Sequence, residues 1–271
     1  MSKAAVITGY GVNCEREMAH ACSLAGFETV DIIHIAELLS GEKNINDYHF
    51  LNFAGGFLDG DDLGSAKAGV NRFKYAPVAG SDERVVDQIL KFIDDKKIIL
   101  GVCNGFQLMV KFGILPSFDG SHTNQDATLS FNDSARFEDR WCYLKLNENS
   151  PCIFTKGAAG VYLPVRHGEG KFISKDDATH EKIVNNNLNA IMYSNSDYSS
   201  TDVSYPENPN GSKGSIAGIC DTTGRLFGMM PHPEAYLHYT NHPRWTREEL
   251  PEEGMGLLFF KNAYEYVKDN L

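Results

Sequence analysis

The sequence predicts an α/β fold: a mostly parallel open sheet flanked by helices, with an antiparallel extension in the second half. Up to residue 113, short apolar runs typical of buried strands alternate with segments whose apolar residues recur at helical spacing. Beyond about residue 121, strand-like runs are separated by turn-rich loops. No linker, repeat or low-complexity run divides the chain, so we expect a single domain over residues 1–271.

Strands are predicted wherever a short apolar run ends at a turn signal. They cover residues 4–8, 29–35, 48–53 and 97–102 in the first part, and 141–146, 161–165 and 190–193 in the extension. The carboxyl ends of parallel strands form the crevice in which such sheets bind ligands. Cys103 follows one such end, and Gly55 and Gly56 follow another. We expect the region of Asn13 and Cys14 to face the same crevice.

Four helices are predicted, over residues 13–25, 81–93, 106–112 and 255–267. Asn13 and Ser81 are the expected N-caps of the first two, because their side chains can accept from orphan amides. Gly26 and Gly113 are the expected C-terminal stops of the first and third. The expected apolar face of the last comprises Met255, Leu258, Phe259, Ala263, Tyr266 and Val267. No helix is predicted between residues 121 and 226.

Composition argues against several functional classes. With 36 acidic and 25 basic residues, the formal net charge of −11 disfavours a broad nucleic-acid surface. No run approaches the ~20 apolar residues of a membrane helix, and no secretory signal is visible at the N-terminus. The six cysteines show no CxxC spacing, which disfavours a zinc ribbon or a redox pair. We therefore expect a cytoplasmic protein without nucleic-acid or membrane partners.

The segment Gly101-Val-Cys103-Asn-Gly105 lies between a predicted buried strand and a predicted helix. The same spacing with serine forms the nucleophile elbow, whose sharp turn needs small residues on either side of the nucleophile. The following helix would lower the thiol pKa, and the amide of Asn104 could stabilise an oxyanion. On this pentapeptide alone, a buried cysteine beside ordinary turn glycines is an equally good interpretation.

A nucleophilic cysteine needs a base, and the base needs an orienting group. His232 and Glu234 are separated by Pro233 and preceded by Pro231, which biases the stretch to extended backbone. In an extended chain, residues two apart project from the same face. This pattern favours His232 as the base and Glu234 as its orienting carboxylate over a structural histidine. Gly56 could supply a second oxyanion donor, although Gly-Gly pairs are common in turns.

Taken together, these motifs resemble the class I (triad) glutamine amidotransferases, which have a flavodoxin-like core. Within that class they are most similar to the glutaminase subunits of phosphoribosylformylglycinamidine synthases, a family of purine biosynthesis. The matching stretches are residues 55–57 (Gly-Gly-Phe), 63–67 (Leu-Gly-Ser-Ala-Lys), 101–107 (Gly-Val-Cys-Asn-Gly-Phe-Gln), 134–141 (Ser-Ala-Arg-Phe-Glu-Asp-Arg-Trp), 163–170 (Leu-Pro-Val-Arg-His-Gly-Glu-Gly), 208–212 (Asn-Pro-Asn-Gly-Ser) and 228–234 (Gly-Met-Met-Pro-His-Pro-Glu). The chain departs from the family at Ala54, where proline is common, and in the loop over residues 57–62.

The resemblance implies a role for each matched residue. Cys103 would form a γ-glutamyl thioester, with His232 as acid and base and Glu234 orienting it. Gly56 and Asn104 would form the oxyanion hole. The implied substrate-binding residues are Gly55, Phe57, Gln107, His167 and Gly168.

The resemblance also implies partners. The ligand would be L-glutamine, and the ammonia would pass to a larger ATP-dependent synthetase subunit, with a further small subunit possible. No cofactor or metal is expected in this chain, which lacks a GxxxxGK[ST] loop; ATP and Mg²⁺ are expected on the synthetase.

Two other functions stay open. One is a stand-alone cysteine hydrolase of the same architecture, similar to γ-glutamyl hydrolases, and the other is a non-catalytic scaffold that binds a synthetase. Two weaker patterns are not taken as sites. Gly9 and Gly11 begin a GxGxxG pattern that Cys14 interrupts. His238 and His242 have metal-ligand spacing, but Pro243 follows and no HExxH motif is present.

Overall fold

The computed structural model describes residues 1–271 and contains eleven strands and seven α-helices. The strands are β1 (Lys3–Thr8), β2 (Thr29–His34), β3 (Phe50–Phe53), β4 (Ile98–Val102), β5 (Ala127–Ser130), β6 (Glu138–Leu146), β7 (Gly160–His167), β8 (Lys171–Ser174), β9 (Ile191–Tyr193), β10 (Ile216–Cys220) and β11 (Leu226–Met229). The α-helices are α1 (Glu15–Ala25), α2 (Ile35–Leu39), α3 (Lys67–Tyr75), α4 (Val85–Asp94), α5 (Asn104–Phe112), α6 (Asp177–Asn185) and α7 (Leu257–Asn270).

Nine of the strands form one sheet in the order β2-β1-β3-β4-β11-β10-β9-β6-β7. The first five strands in this order pair in parallel. From β11 onward every pairing is antiparallel. Strands β5 and β8 form a separate antiparallel pair. The predicted fold class, a mostly parallel sheet with an antiparallel extension, is confirmed.

Three neighbouring parallel strands bring their carboxyl ends to one point. Gly101 of β4 lies opposite Phe53 of β3 on one side and Gly228 of β11 on the other. The chain leaves β3 into Gly55, leaves β4 into Cys103, and leaves β11 toward His232. The sheet register therefore places these three segments side by side, although they are far apart in sequence.

The helix after β4 is held almost entirely inside the protein. Eight of the nine residues of α5 are buried, and its Phe106 ring stacks on Phe172 of β8 at 6.3 Å with an interplanar angle of 5°. Strand β4 is buried along its whole length, as its apolar sequence predicts. Truncating a buried phenylalanine to alanine typically costs about 3–5 kcal/mol. The turn between β4 and α5 is thus anchored on both sides by packed core.

Two predicted N-caps are wrong. The N-cap of α1 is Cys14, with no side-chain capping bond, and Asn13 instead accepts a hydrogen bond from the Cys14 thiol. The N-cap of α4 is Arg84, because Asp87 accepts from the Arg84 amide and fixes the start of the helix there. Ser81 lies in the preceding turn, where its hydroxyl accepts from the Glu83 amide.

The expectation of no helix between residues 121 and 226 is also wrong. Helix α6 buries only Ile183, so it carries no apolar stripe, and its start is set by Asp176, which accepts from the Thr179 amide at 2.7 Å. Helices α2 and α3 are further elements without a prediction. Helix α7 begins at Leu257 and Met255 is exposed before it; the buried residues of α7 are Leu257, Phe259, Phe260, Ala263 and Val267. None of the seven helices has the length and apolar content that a bilayer crossing requires.

Candidate active site

A cavity of about 460 Å³ opens at the point where the carboxyl ends of β3, β4 and β11 meet. Of the ten residues predicted for the site, eight line this cavity, and Gly55 and Asn104 are next to lining residues in the chain. The eight are Gly56, Phe57, Cys103, Gln107, His167, Gly168, His232 and Glu234. The structure therefore brings the predicted residues together in one place.

The turn at Cys103 has the strained geometry of a nucleophile elbow. Cys103 has φ 52° and ψ −105°, a conformation that a residue with a side chain rarely adopts. A Cβ on Gly101 would lie 2.7 Å from the Gly105 oxygen, and a Cβ on Gly105 would lie 2.6 Å from the Phe53 carbonyl carbon. Both flanking positions therefore require glycine, as the sequence pattern predicts.

Local contacts hold both the backbone and the side chain of Cys103. Its amide donates to the Met229 oxygen at 2.8 Å, which joins the turn to β11. Its thiol is 3.6 Å from the Arg166 carbonyl oxygen, and the residue is only 6% exposed. Asn104 is the first residue of α5, so its amide has no intrahelical acceptor and is free beside the thiol.

His232 and Glu234 form a buried pair. His232 Nδ1 is 2.6 Å from Glu234 Oε1, and both side chains are almost completely buried. Burial lowers the pKa of His232, but the charges of Glu234 and Cys103 raise it by more, so that it lies well above 6.5. His232 Nε2 has no hydrogen-bond partner. The imidazole is thus held at one nitrogen and free to exchange a proton at the other.

The backbone between His232 and Glu234 differs from the prediction. His232 itself is extended, with φ −103° and ψ 91°, but Pro233–Ala235 forms a short 3₁₀ turn. The pair therefore meets across a turn and not along one face of an extended chain. The amide of His232 donates to the Pro164 oxygen at 2.8 Å, which ties this turn to β7.

The glycine pair after β3 leaves space beside the imidazole and an unpaired backbone amide at the cavity. A Cβ on Gly55 would lie 2.9 Å from His232 Cε1, so a larger residue there would fill the space next to the imidazole. Gly56 has φ +139°, and a Cβ on it would lie 2.6 Å from the Gly11 oxygen. The Gly56 amide has no acceptor within the protein, so it is available as an oxyanion donor.

Gln107 and Glu169 connect three segments of the cavity wall. Gln107 Nε2 donates to the Glu169 oxygen at 2.6 Å, and its Oε1 accepts from Asn104. The Glu169 carboxylate accepts from the Ser65 amide at 3.1 Å. Lys111 of α5 donates to the Ser65 oxygen at 2.6 Å and its hydroxyl at 2.8 Å. The side-chain amide of Gln107 is therefore engaged within the wall, and its predicted contact with substrate stays a prediction.

His167 lines the cavity but is held by a structural hydrogen bond. Asn132 donates to the carbonyls of Arg136 and His167, which identifies its Oδ1 as the acceptor for His167 Nδ1 at 3.0 Å. Burial lowers the pKa of His167 to about 3, so the ring is neutral near pH 7. Gly168 accepts from the Asn132 amide, and Phe57 is half-exposed at the rim.

One residue next to the catalytic candidates was not predicted as a site residue. Cys14 Sγ lies 3.9 Å from His232 Nδ1. Burial raises the pKa of the Cys14 thiol, which keeps it protonated near pH 7. The sequence placed Cys14 at the crevice, and the structure agrees. The sequence around Cys14 does not indicate that it lies close to His232, which is 218 residues away.

A model of the CobB/CobQ-like glutamine amidotransferase domain matches residues 1–267. The chain belongs to this family. It is 42% identical over 276 residues to the phosphoribosylformylglycinamidine synthase subunit PurQ of Methanococcus maripaludis strain C5, covering 97% of this chain and 98% of the relative. It is 40% identical over 266 residues to the same subunit of Dehalococcoides mccartyi, covering 98% of each.

A solved structure gives the same result. A chain in the structure of PurLQS from Thermotoga maritima superposes with a TM-score of 0.69 and 26% identity, covering 98% of this chain and 99% of that one. The predicted resemblance to glutamine amidotransferases is confirmed. The roles of single residues are predictions that rest on the geometry of the cavity.

Proposed function

We propose that this chain is the glutaminase subunit of a phosphoribosylformylglycinamidine synthase. It hydrolyses L-glutamine to glutamate and ammonia and delivers the ammonia to a separate, larger synthetase, which makes formylglycinamidine ribonucleotide in purine biosynthesis. The observation that carries this proposal is the position of Cys103, strained at a strand–helix turn beside the buried pair of His232 and Glu234. The full-length similarity to subunits with this name supports the choice of pathway.

The reaction follows from these groups. The raised pKa of His232 favours transfer of the Cys103 proton to Nε2, and Sγ attacks the side-chain amide carbon of glutamine. The amides of Gly56 and Asn104 stabilise the negative oxygen of the tetrahedral intermediate. His232 returns the proton to the departing nitrogen, which leaves as ammonia, and a γ-glutamyl thioester remains on Cys103. Water, activated by His232, then releases glutamate. Glu234 keeps the proton of the neutral imidazole on Nδ1, so that Nε2 can accept.

The partner and the location belong to the same proposal. The relatives are named as subunits, so the synthetase that consumes the ammonia is a separate chain in this proposal. ATP and Mg²⁺ act on that synthetase, whereas the triad chemistry needs neither. The nine-stranded sheet runs from Lys3 to Met229, which supports a single domain. The expected location is the cytoplasm.

The test uses the complex assembled with its synthetase. Cys103→Ala is expected to abolish glutamine-dependent synthesis of the amidine and to leave synthesis from added ammonia intact. The matched control is Cys22→Ala, a buried cysteine of α1 that lies outside the cavity. If the Cys103→Ala complex still used glutamine, the assignment of the nucleophile would be wrong.

The same proteins distinguish the two alternative functions, a stand-alone hydrolase and a non-catalytic scaffold, from the proposed one. A stand-alone hydrolase would hydrolyse glutamine rapidly without any synthetase. A scaffold would form no γ-glutamyl thioester, so labelled glutamine trapped by acid quench from the loaded complex would leave no label on Cys103. The proposed subunit is expected to give a labelled Cys103 in the complex and less activity alone.

A further inference from the structure

Cys14 lies against the His232–Glu234 pair, although the proposed reaction does not use it. Its Sγ is 3.9 Å from His232 Nδ1, which is in turn 2.6 Å from Glu234 Oε1. Ligand atoms of the three residues all lie within 4.8 Å of one another. A thiolate, an imidazole and a carboxylate are the ligand types that zinc takes in proteins. We propose that Cys14, His232 and Glu234 form a binding site for zinc or a similar thiophilic divalent ion, and that the bound ion blocks glutamine hydrolysis.

Two of the three separations are close to those of a tetrahedral site, and the ligand atoms of Cys14 and Glu234, which lie within 4.8 Å, approach to about 3.6 Å on binding. Zn–S of about 2.3 Å, with Zn–N and Zn–O near 2.1 Å, sets S···N at about 3.6 Å and N···O at about 3.4 Å. Relative to the observed separations, Cys14 Sγ and His232 Nδ1 approach by about 0.3 Å, and His232 Nδ1 and Glu234 Oε1 part by about 0.8 Å. Side-chain rotations supply such changes, and the fourth position remains for water from the cavity.

An unpartnered atom gives a second, independent reason for a ligand here. Glu234 Oε2 is buried and has no hydrogen-bond partner, and the residue is only 3% exposed. Buried carboxylate oxygens are normally paired, because leaving one unpaired is costly. A cation between Glu234 and Cys14 supplies this carboxylate with a partner that the protein does not, in place of the hydrogen bond between Oε1 and His232 Nδ1. Cys14 is partly exposed and lines the cavity, so an ion reaches the site from solvent.

Binding replaces two protons and leaves the redox state unchanged. The ion displaces the thiol proton of Cys14 and the Nδ1 proton of His232, so affinity rises with pH. With the ion on Nδ1, the proton that the imidazole keeps lies on Nε2, so Nε2 cannot accept the proton of Cys103. This loss of activity rests on the proposed function, whereas metal binding itself does not.

The test of binding uses Cys103→Ala, which removes the nucleophile thiolate as a competing ligand. Titration with Co²⁺ is expected to give one ion per chain with a thiolate-to-cobalt charge-transfer band, and zinc is expected to displace it. In Cys103→Ala/Cys14→Ser the band is expected to disappear and zinc affinity to fall at least about 100-fold, since mutation of outer-shell partners alone costs 10- to 100-fold. Cys103→Ala/Cys22→Ala is the matched control and is expected to keep both.

Two results would overturn the proposal. The first is zinc affinity that is equal with and without Cys14, or a cobalt complex of the Cys103→Ala protein without a thiolate band. The second concerns inhibition: with Cys103 intact in the synthetase complex, Cys14→Ser is expected to raise the inhibitory zinc concentration at least about 10-fold, and equal inhibition would remove the regulatory role. A failure of the glutaminase assignment itself would leave the cobalt spectrum unchanged, so the two failures are distinguishable.

Discussion

The substitution Glu234→Gln tests the triad without changing its shape. In the native protein Glu234 Oε1 accepts from His232 Nδ1 at 2.6 Å, with both groups buried. A hydrogen bond to a charged group contributes about 1.5–3 kcal/mol, so its loss alone lowers the rate about 10- to 150-fold at 1.36 kcal/mol per tenfold. The side-chain amide that the substitution introduces can also donate to His232 Nδ1. This moves the imidazole proton to Nε2 and removes the acceptor for the Cys103 proton. In serine-protease triads the equivalent swap lowers kcat about 10,000-fold.

We therefore expect kcat for glutamine to fall between about 100- and 10,000-fold, with little change in KM. The assay is glutamate release by the complex with its synthetase, and Glu252→Gln, an exposed carboxylate outside the active-site cavity, is the matched control. The pKa of His232, followed by NMR in a Cys103→Ala background, should drop in the variant, because burial then acts without the opposing carboxylate. A loss of kcat smaller than about tenfold would refute the idea that Glu234 sets the position of the proton on His232.

Three further results are expected. Gly105→Ala places a methyl group against the Phe53 carbonyl, so chemical denaturation should show a loss of about 1–3 kcal/mol together with loss of thioester formation. His167 keeps its neutral ring on acidification because its pKa in the folded protein is lowered to about 3. In the unfolded chain the same ring gains a proton near pH 6.5. The free energy of unfolding therefore falls as pH drops, by about 2 kcal/mol from pH 6.5 to 5. His167→Gln should remove that part of the pH dependence in urea titrations at the two pH values. Lys111→Met should raise KM for glutamine more than it changes kcat, because it frees the Ser65 loop from α5, and a change in kcat alone would contradict this.

Strands β1 to β4 and helices α1, α4 and α5 of the parallel half could be predicted because they carry their own signals. The apolar run before Gly101 predicts a buried strand, and the observed strand β4 is buried throughout. Gly26 and Gly113 predict helix ends, and both adopt left-handed conformations at those positions. These signals are local, since they depend on side-chain volume, hydrophobic spacing and backbone freedom within a few residues.

The parts that were missed depend on tertiary contacts. Helix α6 buries a single residue, Ile183, so no hydrophobic period marks it. The start of α4 is decided by the contact of Asp87 with the Arg84 amide, which overrides the serine three residues earlier. Motif order predicted that Cys103 and the His232–Glu234 pair share a site, but the place of Cys14 beside that pair follows only from the folded chain.

The order of strands in the sheet has a consequence for how activity appears during folding. Cys103 and His232 become neighbours only when β11, more than 120 residues downstream, pairs with β4. Such pairings between distant segments form late and make folding slow. Until β11 is in place, the thiol has no base, so a partly folded chain has no means of consuming glutamine. The time course of recovery of glutaminase activity during refolding therefore reports when the central sheet is complete.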